Sequence, residues 1–201
     1  GIGLSIIYKL HLKGLNAVCV PRSVENDISS TAVSFGFNST LTLTIEMLDR
    51  ARKAAQAARK IAVVEVMGEQ AGWLALQAGI AASADAILIP EIPMDLKTLA
   101  DKLRNKITLS RPYGLVVVAQ GAKIINKNKK KEKVSSLKAS LSPLATEDAN
   151  SGFVIHSSGK AAETVATELQ LLIAEETYPL VIGPWARGGT PSAVDRQLGI
   201  A

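Results

Sequence analysis

Five short runs of this chain lack the polar alternation of a strand with one wet face: NAVCV (16–20), IAVVEV (61–66), AILI (86–89), GLVVVA (114–119) and PLVIG (179–183). A strand that is apolar on both sides must be covered on both sides, which is the situation of a parallel sheet clad in helices. The segments between the runs supply the cladding. LSIIYKLHLKG (4–14) has apolar residues at helical spacing and a glycine, Gly14, suited to close a helix. TLTIEMLDRARKAAQAARK (42–60) carries its basic residues toward its C-terminal end, where the helix dipole favours them. GWLALQAGIAAS (72–83), MDLKTLADKLRNKITL (94–109) and AAETVATELQLLIAEE (161–176) read as helices by the same spacing. Strand and helix in alternation predict an α/β fold with a mostly parallel sheet and helices on both faces. The pattern breaks at 123–160, which is polar and aperiodic.

The 201 residues are 47% hydrophobic but only 4% aromatic, so the core has to be assembled from Ala, Val, Ile and Leu. One cysteine, Cys19, rules out an internal disulfide and fits a reducing, cytoplasmic setting. Its place in an apolar run predicts a core residue. No apolar run reaches the roughly 18–20 residues of a membrane span, and no secretory signal opens the sequence, so no membrane association is expected. The net charge of +5 is local. Lys123, Lys127, Lys129, Lys130, Lys131, Lys133 and Lys138 surround the single acid Glu132, which leaves the remainder at about −1. No aromatic side chain is interleaved to stack on bases, so this is a solvated loop, the most mobile stretch of the chain, and no nucleic acid partner follows.

The chemistry-bearing stretch is VPRSVENDISS (20–30), which follows the first apolar run. It sets an arginine, hydroxyls and the acids Glu25 and Asp27 at the carboxyl end of a predicted strand, where open α/β sheets bind ligands. Gly1-Ile2-Gly3 leads straight into a helix, an arrangement that offers free N–H groups to a donor phosphate. No strand precedes it, so the upstream strand and phosphate loop are expected to lie outside this sequence. His11 reads as an exposed helix residue. His156 has no Cys or acid at ligand spacing, and no metal site is predicted. SSGK (157–160) lacks the first glycine of a phosphate-binding loop and reads as a loop entering a helix.

Four motifs in order carry a family resemblance. VPRSVENDI resembles the "PKTIDNDI" of the phosphofructokinases, SFGFNST (34–40) their "TFGFDTA", VVEVMGEQAGWLAL (63–76) their "VEVMGRHAGWLAL", and RGGTPSAVDR (187–196) their "QRGGSPSAFDR". IPE (89–91) and VVVAQGA (116–122) are similar to the intervening "PE" and "VVVAEGA". The resemblance covers nearly the whole chain apart from the lysine-rich loop. It implies a phosphofructokinase-type fold with incomplete N- and C-terminal parts. Residues 1–36 would be a remnant of the phosphate-donor lobe, 37–183 the sugar-phosphate lobe and 184–201 a return segment.

The same resemblance implies phosphoryl transfer from ATP or pyrophosphate to fructose 6-phosphate, assisted by Mg²⁺. That reaction needs a proton acceptor, a metal-held phosphate and cationic clamps. Carried over residue by residue, the acceptor is Glu25, where the family has Asp, and Asp27 is its second acid. Ser23, Lys60, Met67, Gly68, Gln120 and Arg187 fall on substrate-binding positions, and Gly1, Gly3 and Arg22 on donor-phosphate positions. Several matches are imperfect. Glu69 replaces an arginine, Gln120 a glutamate, Pro184 a histidine, Tyr178 an arginine and Gly1 a carboxylate. Arg22 leans toward pyrophosphate as donor. Trp185, in place of a small aliphatic residue, either fills vacated space or belongs to an interface.

The scaffold glycines match while the groups that touch substrate, metal or proton often do not. This pattern predicts a catalytically silent or severely weakened homologue with no cofactor of its own, acting as a partner or regulatory subunit. It would form a homo- or hetero-oligomer with a phosphofructokinase-like subunit. Two alternatives stay open: an active 6-phosphofructokinase using Mg²⁺ with ATP or pyrophosphate, and a module that binds a phosphorylated sugar.

Overall fold

The computed structural model describes residues 2–125 and 159–200. They fall into two compact units, one containing residues 2–20 and the other residues 21–125 with 159–200.

In the larger unit, four parallel strands stand in the order β2-β4-β1-β6: β1 (Ile61–Val66), β2 (Ala86–Leu88), β4 (Gly114–Ala119) and β6 (Thr177–Val181). In the two central strands, β1 and β4, every residue is buried, so both faces are covered. Ala62, Val64 and Val66 of β1 join Leu115 and Val117 of β4 in a core with Phe37, Leu48 and Leu74. These last residues come from α2 (Phe37–Ala58) and α3 (Trp73–Ala81). Ile61, Val63, Val116 and Val118 point the other way, into a second core with Leu99, Val165 and Leu169. That core is supplied by α4 (Leu96–Lys106) and α5 (Lys160–Leu172). The period-two side-chain geometry of a strand thus sorts one apolar run into two cores.

Helix α2 shows why its sequence folds as it does. Phe37, Thr40, Thr44, Leu48, Ala51 and Ala55 are its buried positions, spaced three and four apart. The two buried threonines satisfy themselves, Thr40 Oγ1 donating to Gly36 O at 2.9 Å and Thr44 Oγ1 to Thr40 O at 2.7 Å.

Glu65 is the exception among the β1 side chains, a carboxylate 1% exposed on the α4/α5 side. Its Oε1 accepts from Gly159 N at 2.7 Å and its Oε2 from Ala162 N at 3.0 Å. These are first-turn amides of α5, which have no partner inside the helix and sit at the positive end of its dipole. Gly159 is the N-cap with φ 108°, so the loop entering a helix expected at SSGK is seen at Gly159-Lys160.

Several expectations are corrected. NAVCV (16–20) is not a strand, because no neighbouring strand among the described residues pairs with it. Cys19 there is exposed rather than core, and Val18 and Val20 are exposed with it. The helix expected at 94–109 gives up its first two residues, Met94–Asp95, to strand β3, which pairs in parallel with β5 (Ile124–Ile125). Asp95 then caps α4 through Lys97 N at 3.3 Å. The polar break therefore begins with a short strand, and the mobility expected for 123–160 otherwise falls outside the described residues. Strand β6 is exposed at Pro179 and Val181, as an edge strand carrying a proline should be. In the smaller unit, α1 (Ile2–His11) ends as predicted at Gly14, with φ 93°. Leu15 N reaches Leu10 O at 3.2 Å and Gly14 N reaches His11 O at 2.9 Å, the paired bonds of a Schellman ending.

Replacing Glu65 by alanine leaves the Gly159 and Ala162 amides buried without an acceptor. The expected loss of stability is about 2–4 kcal/mol, with Glu65→Gln losing less. Urea unfolding of both variants, read at the midpoint and the slope, checks it.

Candidate functional site

The parallel register sends the carboxyl ends of β1, β4 and β6 to one edge, and three turns meet there. After β1 the chain enters Met67-Gly68-Glu69. Gly68 has φ 136°, and a β-carbon on it would stand 2.7 Å from Ala71 O, so no other residue fits this turn comfortably. After β4, Gln120 N bonds Val66 O at 3.0 Å and Gly121 N bonds Gly68 O at 2.9 Å. The backbone of Glu69 lies so close to Gly121 that a β-carbon there would be 1.8 Å from Glu69 O. After β6, Ile182 N bonds Glu65 O at 2.9 Å and leads into a 3₁₀ turn, Gly183–Arg187.

The fourth wall is the loop 21–36. Arg22 and Phe35 pair at its neck, with Phe35 N bonding Pro21 O at 2.9 Å. Asn26, with φ 54°, is its internal strut. Its Oδ1 accepts from Ser34 N at 2.8 Å, and its Nδ2 donates to Ala32 O at 3.2 Å. The two flanking acids take no part in this strut and have partners of their own. Ser23 Oγ donates to Asp27 Oδ1, and Glu25 Oε2 accepts from Glu69 N at 3.4 Å.

The structure therefore brings together Ser23, Glu25, Asp27, Gly68, Glu69 and Arg187. Burial raises the Glu25 carboxyl above its ordinary value, and the nearby charges of Asp27 and Glu69 add to this. The Glu69 amide and the Arg187 guanidinium oppose it. Among the described residues, the charges acting on Glu25 are those of two further acids and one guanidinium. Among the described residues no cluster of three or more His, Cys, Asp or Glu side chains has the geometry of a metal site.

Other residues named from the sequence lie elsewhere. Met67 is 4% exposed and packs in the α2/α3 core. Lys60 precedes β1 and pairs with Glu176 at 3.0 Å, at the amino end of the sheet. Six strand residues separate it from the Met67 turn, about 20 Å at the rise of an extended chain. Tyr178, opposite Ala62 in β6, lies at that same far end. Burial raises its hydroxyl, and Lys60 opposes the shift. Pro184 is exposed at the start of the 3₁₀ turn, and Trp185 is 77% exposed, so the indole does not fill vacated space. Gly3 opens α1 in the smaller unit, and Gly1 and His156 lie outside the described residues. The smaller unit has its own groove of about 640 Å³ lined by Leu4, Tyr8, His11 and Cys19, without an acid or a permanent cation.

Two residues that fasten the site were given no role from the sequence. Glu91, in the IPE motif, accepts from Gly72 N at 2.8 Å and so caps α3. Asp195 accepts from Gly36 N and Ser39 N, both at 2.8 Å, and from the Ser39 hydroxyl. It ties the start of α2 to the segment after the RGG turn. Burial pushes its carboxyl up, but the hydrogen bonds from Ser39, Gly36 and Ser192 outweigh that and leave it below the ordinary aspartate range. The only signal for either was an acid inside a matched motif, which does not reveal a capping geometry.

The chain is similar to known proteins over almost its full length. The family model described as Phosphofructokinase matches residues 2–201. The ATP-dependent 6-phosphofructokinase of Spirochaeta thermophila is 38% identical over 95% of this chain and 48% of its own. The ATP-dependent 6-phosphofructokinase 3 of Bacteroides thetaiotaomicron is 33% identical over 94% and 47%. The chain spans about half the length of the curated relatives it matches. Among solved structures, the phosphofructokinase of Saccharomyces cerevisiae superposes with a TM-score of 0.65 at 29% identity, covering 88% of this chain and 20% of that one. The fold is shared as well with the pyrophosphate-dependent phosphofructokinase of Nitrosospira multiformis, with a TM-score of 0.68 at 22% identity, over 92% and 42%.

A carboxyl whose folded value is raised favours the folded state at low pH and disfavours it once ionised. Glu25→Gln should therefore match the parent protein below the ordinary carboxylate range and become the more stable of the two as pH rises through the folded value. Thermal unfolding at acidic and neutral pH checks the crossover.

Proposed function

The chain belongs to the phosphofructokinase family, and from that premise we propose that it is a catalytically silent or severely weakened homologue acting as a partner or regulatory subunit. The observation that supports this is the electrostatics around Glu25, whose carboxyl is raised by burial and by the charges of Asp27 and Glu69 against the opposing Arg187 guanidinium. Phosphoryl transfer concentrates negative charge on the migrating group and needs fixed cations aimed at it. Glu69 places a carboxylate where the resemblance puts a guanidinium, and Pro184 offers no side-chain donor. Glu25 is one methylene longer than the aspartate it replaces. Its carboxylate is held at the Glu69 amide, and a displacement of about 1 Å in a proton acceptor costs roughly 10²-fold in rate.

A second reading, an active 6-phosphofructokinase using Mg²⁺ with ATP or pyrophosphate, draws on the same carboxyl. Glu25 is half-buried and its affinity for a proton is raised, the direction in which a general base is tuned. Lys60 and Tyr178 stand at the far end of β1, so a site that used them would take them from a second copy or a related subunit. This supports an oligomeric setting.

A coupled assay for fructose 1,6-bisphosphate, with ATP and with pyrophosphate, separates the two readings. Under the silent reading, Glu25→Asp raises trace turnover by less than about 10-fold and Glu25→Ala leaves it nearly unchanged. Groups that act as a unit are not repaired one at a time. A gain of about 10²-fold in the Asp variant, the scale of one positioning defect, would establish that the rest of the site works.

A further inference from the structure

We infer that Ser34 is the positioning residue of the cleft: its buried hydroxyl locks the backbone on both sides of Glu25 and so decides where that carboxylate sits. Four polar side chains are buried among the described residues, Ser34, Thr40, Thr44 and Glu65. Thr40 and Thr44 bond their own helix, and Glu65 holds the start of α5. Ser34, 0% exposed, directs its hydrogen bonds instead to the loop that carries a cleft acid. The sequence motifs gave it no role.

The lock has two halves. Ser34 Oγ donates to the Ser23 carbonyl at 2.7 Å, with Asn26 Oδ1 as a second acceptor at 3.0 Å. Ser34 N already serves that same Oδ1 at 2.8 Å, which leaves the single hydroxyl proton for Ser23. Asn26 holds the left-handed conformation, φ 54°, through its bonds to Ser34 and Ala32. Between the two halves, Val24 packs against the α2/α3 core. Residues 23, 24 and 26 are thus fastened, and Glu25 is the one whose side chain reaches the Glu69 amide. At 3.4 Å that amide is a weak hold, so the place of the acid rests on the backbone behind it. Burial is the largest influence on the Glu25 carboxyl and raises it. The Glu69 amide and Arg187 lower it, while the charges of Asp27 on its own loop and Glu69 on the turn after β1 raise it. A loop released at Ser23 lets the carboxyl out toward water and removes the largest influence, so its value falls toward the ordinary glutamate range.

The role rests on the reading of Glu25 as the cleft acid, and it holds whether the cleft is silent or active, because its test reads the carboxyl rather than a product. Carbon-detected NMR titration of the whole chain, with Glu25→Gln identifying the resonance, gives the Glu25 midpoint in each variant. Ser34→Ala should move that midpoint down toward the ordinary glutamate range and quicken hydrogen exchange at the Glu69 amide. Ser34→Thr, which keeps the hydroxyl, should hold the parent midpoint. Tyr178, at the amino end of the sheet, should titrate as in the parent throughout, which separates a local release from a general loosening. Where Ser34→Ala does not fold, Asn26→Gly keeps the left-handed backbone without steric cost, removes the other half of the lock and should give the same fall. The positioning role is overturned if the Glu25 midpoint stays in place or rises in folded Ser34→Ala or Asn26→Gly protein. It is equally overturned if Ser34→Thr shifts as far as alanine does, or if Tyr178 shifts along with Glu25. Failure of the silent reading shows separately, as turnover in the coupled assay.

Discussion

The N-terminus of helix α5 is fastened to the centre of the sheet by one buried carboxylate. Glu65 lies in the middle of an apolar strand, and two α5 amides answer its carboxylate in a dry interior. With them, a group that could not be buried alone and a helix end that could not be buried alone satisfy each other. The same residue's carbonyl accepts from Ile182, so Glu65 organises the chain on both sides of its own strand. Two residues further on comes the Met67-Gly68-Glu69 turn, and its geometry inherits whatever accuracy this joint confers.

The pattern repeats at smaller scale. Glu91 seats α3 on Gly72, Asp95 caps α4 and Asp195 caps α2. All of these, like Glu65 at α5, lie at helix N-termini, where a free helix end could otherwise attract an anion.

The fold was legible because its cue is local. Runs such as IAVVEV and GLVVVA can only be buried on both faces, and both became central strands from end to end. NAVCV carries the same cue and failed, since a strand is a relation between two segments and no described residues answer it. The cleft was half legible. The motifs named Glu25, Asp27 and Glu69 separately, and the structure sets the Glu69 amide on the Glu25 carboxylate with Asp27 close by. They could not show that Lys60 faces the other end of β1, because a motif records position along the chain and not direction along a strand. Nor could they show that Asp195 seams the start of α2 to the segment after the RGG turn, a contact between residues 159 and 156 positions apart.

The order of the sheet bears on how the molecule is made. Strand β1 pairs with β4 on one side and with β6 on the other, and Thr177 of β6 stands opposite Ile61 across most of the chain's length. Pairings this distant are slow, because the intervening chain must be gathered before any contact offsets its entropy. During synthesis, β2, β4 and β1 can assemble while one flank of β1 and its buried carboxylate still wait for a helix and a strand yet to emerge. For that interval the nascent chain displays an apolar flank beside a carboxylate whose two α5 amides have yet to emerge.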